Sequence, residues 1–90
     1  MSEHREAVRE HALNRLWERF GLEISDDEYD RLSADVGTRL RRPDGFSAKG
    51  KQVFRVEIDG VEVYAGWHDD VFAIGTFHPG DACRLNRKRR

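Results

Sequence analysis

The fold is decided by the stretch Val53-Phe54-Arg55-Val56-Glu57-Ile58-Asp59-Gly60-Val61-Glu62-Val63-Tyr64-Ala65-Gly66-Trp67. Apolar and polar residues alternate on both sides of Asp59-Gly60, which is the period of a strand with one buried face. An Asp-Gly pair between two such runs favours a two-residue turn, because both positions of that turn need a positive φ. Residues 53–67 therefore predict an antiparallel β-hairpin.

A third strand is predicted over residues 71–77, after a turn at His68-Asp69-Asp70. The segment is mostly apolar, which is typical of a strand that is central in a sheet or covered on both faces. Side chains two residues apart on a strand share a face, so we expect Thr76 on the same face as Phe72 and Ile74. Pro79-Gly80 then ends the strand.

Two helices are predicted ahead of the sheet. Apolar residues recur every four positions from Val8 to Phe20, so the first helix should span about residues 3–20. Ser25-Asp26-Asp27-Glu28 has the pattern of a capping box, and an apolar stripe follows it, so the second helix should span about residues 26–40. The sequence thus predicts an α+β fold with two N-terminal helices packed on a three-stranded, or slightly larger, antiparallel β-meander.

The charge of the chain is unevenly distributed. The net charge is −1, but residues 84–90 hold five of the 16 basic residues, so that 11 basic and 17 acidic residues remain in the body. We expect one domain over residues 1–80 and a flexible basic tail over 81–90. Three interpretations of the tail stay open: it contacts a polyanion, it folds back on the acidic body, or it only aids solubility. Its basic residues are Arg84, Arg87, Lys88, Arg89 and Arg90.

The expected cellular compartment is inferred from the absence of a membrane span and of a signal-peptide pattern in the sequence. No apolar run approaches the roughly 20 residues that span a bilayer, and the first residues do not have the pattern of a signal peptide. The single Cys83 excludes an internal disulfide framework. We therefore expect a cytoplasmic protein without a membrane partner.

Helix 1 carries a candidate phosphate-binding surface. His11, Arg15 and Arg19 are spaced four residues apart, which places them in line on one side of the helix. A histidine and two arginines in line are suited to a phosphate group. They are equally suited to a solvated helix edge.

A family resemblance is carried by His11-Ala12, Arg15, Arg19-Phe20-Gly21 and Ile74-Gly75-Thr76. Over about residues 8–79 the chain resembles small RelE-like proteins of bacteria, phages and other mobile elements, which have the barnase–EndoU–colicin–RelE fold. The resemblance implies metal-free RNA cleavage, pairing with an antitoxin, or a binding role without catalysis. Whether the protein is an enzyme stays open at this point.

Metal-free RNA cleavage requires a base for the 2′-hydroxyl, an acid for the leaving 5′-oxygen and cations around the phosphate. Histidine ordinarily titrates near neutrality, so His11 is the first acid–base candidate and His78 the second. Arg15 and Arg19 would hold the phosphate, and Thr76 would orient it or a histidine. Arg55 and Tyr64, on the first two strands, are candidates for phosphate and base contacts.

Each candidate also has a structural interpretation. His11 and His78 fit a helix-edge and a loop histidine, Arg15 is spaced for an ion pair with Glu18, and Thr76 is a common strand former. Ordinary cross-strand packing explains Arg55 and Tyr64 equally well.

No metal or cofactor is predicted. His68-Asp69-Asp70 offers ligand atoms within one tight turn, but the sequence shows no distal partner for them, and the histidines and Cys83 lack zinc-site spacing. The glycines match no nucleotide-binding fingerprint.

Two functions therefore compete. The first is an RNA-directed, toxin-type ribonuclease whose concave site between helix 1 and the sheet holds the predicted catalytic residues. The second is a non-enzymatic phage or mobile-element protein that inhibits a host nucleic-acid-binding or defence protein. Its partner-binding surface would be the acidic cluster at Asp26, Asp27 and Glu28. A DNA-binding regulator acting through the tail is a third interpretation, without an evident recognition helix.

Overall fold

A computed structural model describes residues 2–85 of the chain. Helix α1 (Ser2–Phe20) and helix α2 (Asp26–Gly37) precede a five-stranded antiparallel sheet, which confirms the predicted α+β class. The strands are β1 (Gly45–Ser47), β2 (Gln52–Ile58), β3 (Val61–His68), β4 (Ala73–His78) and β5 (Cys83–Leu85), in the sheet order β4-β3-β2-β1-β5. The predicted meander corresponds to β2, β3 and β4.

The β2–β3 hairpin forms where the sequence predicts it. Asp59 and Gly60 have φ angles of 52° and 78°, as a two-residue turn of the hairpin type requires, and Ile58 pairs with Val61 directly beside it. The register then continues through Arg55 opposite Tyr64. Paired residues share a face of the sheet, so this register fixes which side chains meet at the site described below.

One face of the sheet, here called the core face, packs against both helices. It contributes Phe54, Val56, Ile58, Val63, Ala65 and Trp67 from the hairpin to the hydrophobic core. Ala12 and Leu16 of α1 and Tyr29 of α2 meet them there, and all three are fully buried. The opposite face, here called the open face, carries Arg55, Tyr64 and Gly66 at the intervening positions.

Strand β4 lies at an edge of the sheet, contrary to the central or doubly covered position that its apolar sequence suggests. Helix side chains bind its backbone: the Tyr29 hydroxyl donates to the Ile74 carbonyl, and the Ser33 Oγ accepts from the Ile74 amide at 3.2 Å. Arg19 donates to the Phe77 carbonyl at 2.9 Å. The apolar sequence is explained by Ala73, Ile74 and Phe77, whose side chains are fully buried in the core with residues of both helices.

The structure differs from the predicted boundaries at four places. Strand β4 begins at Ala73 rather than at residue 71, because Phe72 belongs to the preceding turn and has a φ angle of 55°. Helix α2 ends at Gly37 rather than near residue 40, and the predicted loop before the hairpin contains β1. The domain also continues past residue 80, because β5 pairs with β1 from Cys83 to Leu85. A Cβ atom on Gly45 would stand 2.5 Å from the Arg84 carbonyl oxygen, so only glycine allows this close pairing. Residues 86–90 of the predicted tail lie outside the described residues.

Within residues 2–85, neither helix combines the length and the apolar character needed to cross a membrane.

Candidate functional site

An open groove runs between α1 and the open face of the sheet at the β3–β4 end. Its volume is about 820 Å³, within the range of pockets that hold small ligands. Four parts of the chain form it: one side of α1, the floor of β3 and β4, the end of β1 with the turn that follows it, and the segment between β4 and β5. The lining residues are His11, Arg15, Arg19, Ser47, Ala48, Lys49, Lys51, Gly66, Trp67, His68, Gly75, Thr76, His78, Pro79 and Ala82.

The periodicity of α1 positions the helix side of the groove. Ala12 and Leu16 are buried in the core, and His11, Arg15 and Arg19 occupy the neighbouring stripe of the same helix. These three residues thus border the core and the groove at once. The structure brings all five residues predicted as catalytic, including Thr76 and His78, to this one groove.

Thr76 reaches the groove through an irregularity in strand pairing. Gly66 pairs with Thr76, but the next residue, Trp67, pairs with Ile74, so Gly75 is an extra residue in β4. Adjacent residues of β3 point to opposite faces, and Ile74 and Thr76 therefore do so as well. The prediction that Thr76 shares a face with Ile74 is wrong for this reason: Ile74 is in the core and Thr76 lines the groove.

Glycines keep the floor of the groove open. A Cβ atom on Gly66 would stand 3.0 Å from Thr76 Cγ2 and 3.3 Å from His78 Nε2. Both distances are tighter than ordinary van der Waals contact between carbon-bearing groups. Any side chain at residue 66 would therefore displace Thr76 or His78.

Arg19 and His78 are in direct contact at one end of the groove. Arg19 donates to His78 Nδ1 at 3.2 Å, and since a guanidinium can only donate, Nδ1 must accept. The neutral ring then carries its hydrogen on Nε2. Burial lowers the pKa of His78 below the usual histidine value, and the positive charge of Arg19 lowers it further. His78 is therefore a neutral N–H donor near pH 7 in this arrangement.

His11 and Arg15 are in different states. His11 is exposed, and no hydrogen bond or ion pair of its side chain is found within residues 2–85. Arg15 Nη1 forms an ion pair with Glu18 Oε1 at 2.9 Å, which is the structural pairing that the helix spacing allowed. This pair is about half exposed, so solvent screens it and it holds Arg15 weakly.

Sequence reasoning missed two lysines and two glycines of the groove. Lys49 and Lys51 flank the β1–β2 turn, and no ion pair of either lysine is found among the described residues. The one available signal was the pairing of β3 with β4, which would have placed Gly66 opposite Thr76 once the irregularity at Gly75 was known.

The predicted nucleic-acid contacts lie elsewhere. Arg55 and Tyr64 are paired on the open face, next to His78 in register, but neither lines the groove. Glu62 accepts a hydrogen bond from the Tyr64 hydroxyl at 2.9 Å and lies 3.6 Å from Arg55 Nη1. Burial and the neighbouring Glu62 carboxylate raise the pKa of Tyr64. Cross-strand packing thus accounts for both residues.

Arg84 is exposed on β5, opposite Phe46 and outside the groove. The predicted contacts at Arg87, Lys88, Arg89 and Arg90 lie outside the described residues.

The acidic cluster lies at the start of α2. Ser25 Oγ accepts from the Glu28 amide at 3.1 Å, which confirms the predicted cap, and three acidic residues fill the first turn. Carboxylates there are stabilised by the positive end of the helix dipole. Asp26 also lies 3.6 Å from Arg9, and Glu28 lies 3.2 Å from Arg31. Asp27 has no ion pair within the described part of the chain.

Comparisons of the chain with protein-family models, with curated proteins and with solved structures found no match. The resemblance to RelE-like proteins therefore stays a prediction from the sequence.

Proposed function

We propose that the groove binds the phosphate backbone of RNA and that the protein is a small RelE-like, toxin-type endoribonuclease that works without a metal ion. One observation carries the proposal. The described lining residues include four cations, Arg15, Arg19, Lys49 and Lys51, together with three histidines and no carboxylate. The chain as a whole has a net charge of −1 with 17 acidic residues, so this concentration of positive charge is local.

The cations would act on the charge of the phosphate. Lys49 and Lys51 come from the β1–β2 turn and the two arginines from α1, so a polyanion in the groove would meet positive charge from two separate parts of the fold. As the 2′-oxygen attacks phosphorus, negative charge grows on the non-bridging oxygens, and Arg15 and Arg19 would stabilise it by hydrogen bonds. His78 would contribute its Nε2–H group to the same oxygens.

His11 would act as the general base in this reaction. It is exposed and has no described side-chain partner, so its ring nitrogens are available to a substrate. In the proposed step His11 takes the proton of the 2′-hydroxyl, the 2′-oxygen bonds to phosphorus, and the bond to the 5′-oxygen breaks. The leaving 5′-oxygen takes its proton from a water molecule, and the hydroxide so formed takes the proton from His11, which restores the base. The products are a 2′,3′-cyclic phosphate and a 5′-hydroxyl end, and Thr76 would orient the phosphate.

The test is RNA cleavage in EDTA by the parent protein and two folded variants. His11→Ala removes the proposed base, whereas Asn14→Ala changes an exposed residue of the same helix that does not line the groove. We expect the parent and Asn14→Ala to cleave, with 2′,3′-cyclic phosphate ends, and His11→Ala to lose at least about 100-fold in rate. The assay is run with free RNA and with translating ribosomes. An inactive parent in both would remove the catalytic part of the proposal.

A cytoplasmic RNA substrate and a protein partner that blocks the groove, such as an antitoxin, belong to the same proposal. The alternative is docking of Asp26, Asp27 and Glu28 on a basic host protein, and it draws support from Asp27, whose carboxylate is exposed and unpaired among the described residues. Replacing Asp27 by Lys should abolish partner capture in that case and leave RNA cleavage unchanged.

A further inference from the structure

Three side chains with metal-binding atoms meet beside the groove. His4 is in the first turns of α1, His68 ends β3, and Asp70 is in the turn between β3 and β4. Their ligand atoms all lie within 4.8 Å of one another. The two imidazole rings are 5.8 Å apart between centroids and cross at 77°. His4 is the distal partner that the sequence did not reveal for His68 and Asp70, because 64 residues separate it from His68.

Several contacts hold these residues together. Arg5 Nη1, next to His4, donates to the Val71 carbonyl at 2.9 Å, which fixes the start of α1 against the β3–β4 turn. Within the turn, the Phe72 ring packs edge-on against Trp67 at 5.1 Å between ring centroids. The cluster is thus built by two elements that are bound to each other.

A glycine leaves room for the His68 ring. A Cβ atom on Gly75 would stand 3.1 Å from His68 Cβ and 3.3 Å from its Cδ2. The irregularity in β4 therefore does two things: it turns Thr76 into the groove and it places a residue without a side chain beside His68.

We propose that His4, His68 and Asp70 bind a zinc ion. Two imidazoles and a carboxylate are ligands that zinc accepts, and three protein ligands leave a fourth tetrahedral position open to water or an anion. Small side-chain rotations bring ligand atoms 4.8 Å apart to the spacing around one ion, since His4 and Asp70 are exposed and free to move.

The bound ion has two consequences. It joins the start of α1 to the β3–β4 turn, which stabilises the fold by binding the native state. Because His68 also lines the groove, the ion adds positive charge at that end of the groove. Neither consequence depends on RNA cleavage, and the proposed cleavage does not use the ion.

Isothermal titration of the full chain with zinc chloride tests the site, on protein purified without a polyhistidine tag and stripped with EDTA. We expect one zinc per chain with a micromolar dissociation constant, weakened at least about tenfold by His4→Ala or His68→Ala. Asp69→Asn, which changes the neighbouring acidic residue outside the cluster, should bind as the parent does. Magnesium should give no binding, because it prefers oxygen ligands.

Thermal unfolding provides a second readout and a check of folding. Zinc at about 100 times its dissociation constant should raise the Tm of the parent by on the order of 5–10 °C and leave the Tm of His4→Ala unchanged. Without metal, His4→Ala should melt within about 2 °C of the parent, because the residue is exposed. The proposal is overturned by the absence of binding at about 100 µM zinc, which is far above the expected micromolar dissociation constant. It is also overturned by binding that both histidine variants retain.

Discussion

The groove and the start of α2 are two charged regions of one small domain, and their charges are used differently. At the start of α2, Asp26 and Glu28 have arginine partners, and the acidic turn matches the helix dipole. In the groove, Arg15 has a carboxylate partner, whereas Arg19 binds a carbonyl and a histidine, and the two lysines have no described ion pair. Two of the three carboxylates of the acidic turn are thus paired within the fold, whereas three of the four groove cations have no described carboxylate partner.

The largest expected effect on RNA binding comes from reversing the charge of the groove. Lys49→Glu/Lys51→Glu should weaken binding of single-stranded RNA about 30-fold or more and reduce the dependence of log K on log salt by about 1.4, since each phosphate contact contributes about 0.7. The matched control is Arg41→Glu/Arg42→Glu, which changes net charge equally at two exposed residues outside the groove. If the two double variants weakened RNA binding equally, binding would depend on net charge alone and not on the groove.

Filling the floor of the groove should have the next largest effect. Gly66→Ala places a methyl group against Thr76 and His78, so we expect RNA cleavage to fall about tenfold and the free energy of unfolding to fall by about 1–2 kcal/mol. Gly37→Ala is the control, because its Cβ would make ordinary contacts of 3.5 Å and 3.7 Å with Phe72 and Trp67. That variant should be neutral or slightly more stable, as alanine is preferred in helices. Denaturant unfolding and the cleavage assay measure both effects.

A substitution in the acidic region should lower the stability of the fold and leave RNA affinity unchanged. Ser25→Ala removes the acceptor for the Glu28 amide, and loss of a helix cap typically costs about 1 kcal/mol. For a domain of this size that corresponds to a decrease in Tm of roughly 4–8 °C. RNA affinity, measured by fluorescence anisotropy, should stay within about twofold of the parent. A parallel loss of RNA affinity would show that the two regions are not separate in function.

The smallest expected effect is on the pH dependence of the free energy of unfolding, through His78. Its pKa is lower in the folded state than in the unfolded chain, so the unfolded state binds more protons as the pH falls below about 6.5. Stability due to this group is therefore complete above pH 6.5 and is lost as the pH falls through the folded-state pKa. His78→Gln should make the free energy of unfolding less dependent on pH between about 7.5 and 5. His11→Gln serves as the exposed control, and a slope equally changed in both variants would contradict the assignment to His78.

The parts of the fold that could be predicted are those in which a periodic pattern of apolar residues continues over many positions. The 53–67 hairpin and α1 repeat their patterns over many residues, and the Asp59-Gly60 turn has its own signal. Strands β1 and β5 have three residues each, which is too short to show a periodic pattern. Strand β5 pairs with β1, and β1 also pairs with β2, so both depend on contacts between separate segments of the chain. The edge position of β4 could not be predicted from its own sequence, because the side chains that bind its outer edge come from α1 and α2.

The residues of the candidate site also fall into those that local sequence spacing predicts and those that it does not. The line of His11, Arg15 and Arg19 follows from helix spacing alone, and the structure places that line along the groove. Lys49 and Lys51 approach from a turn more than 30 residues away in the chain, and His4 approaches His68 across most of its length. No local pattern reports such pairings, because they depend on how helices and strands pack.

The side-chain bonds on β4 also set how the sheet can associate. Exposed strand edges are templates on which other chains can pair. At β4, a second strand would have to displace the Tyr29 and Ser33 bonds to Ile74 and the Arg19 bond to Phe77. Two hydroxyls and a guanidinium thus act as a cap against intermolecular β-sheet growth.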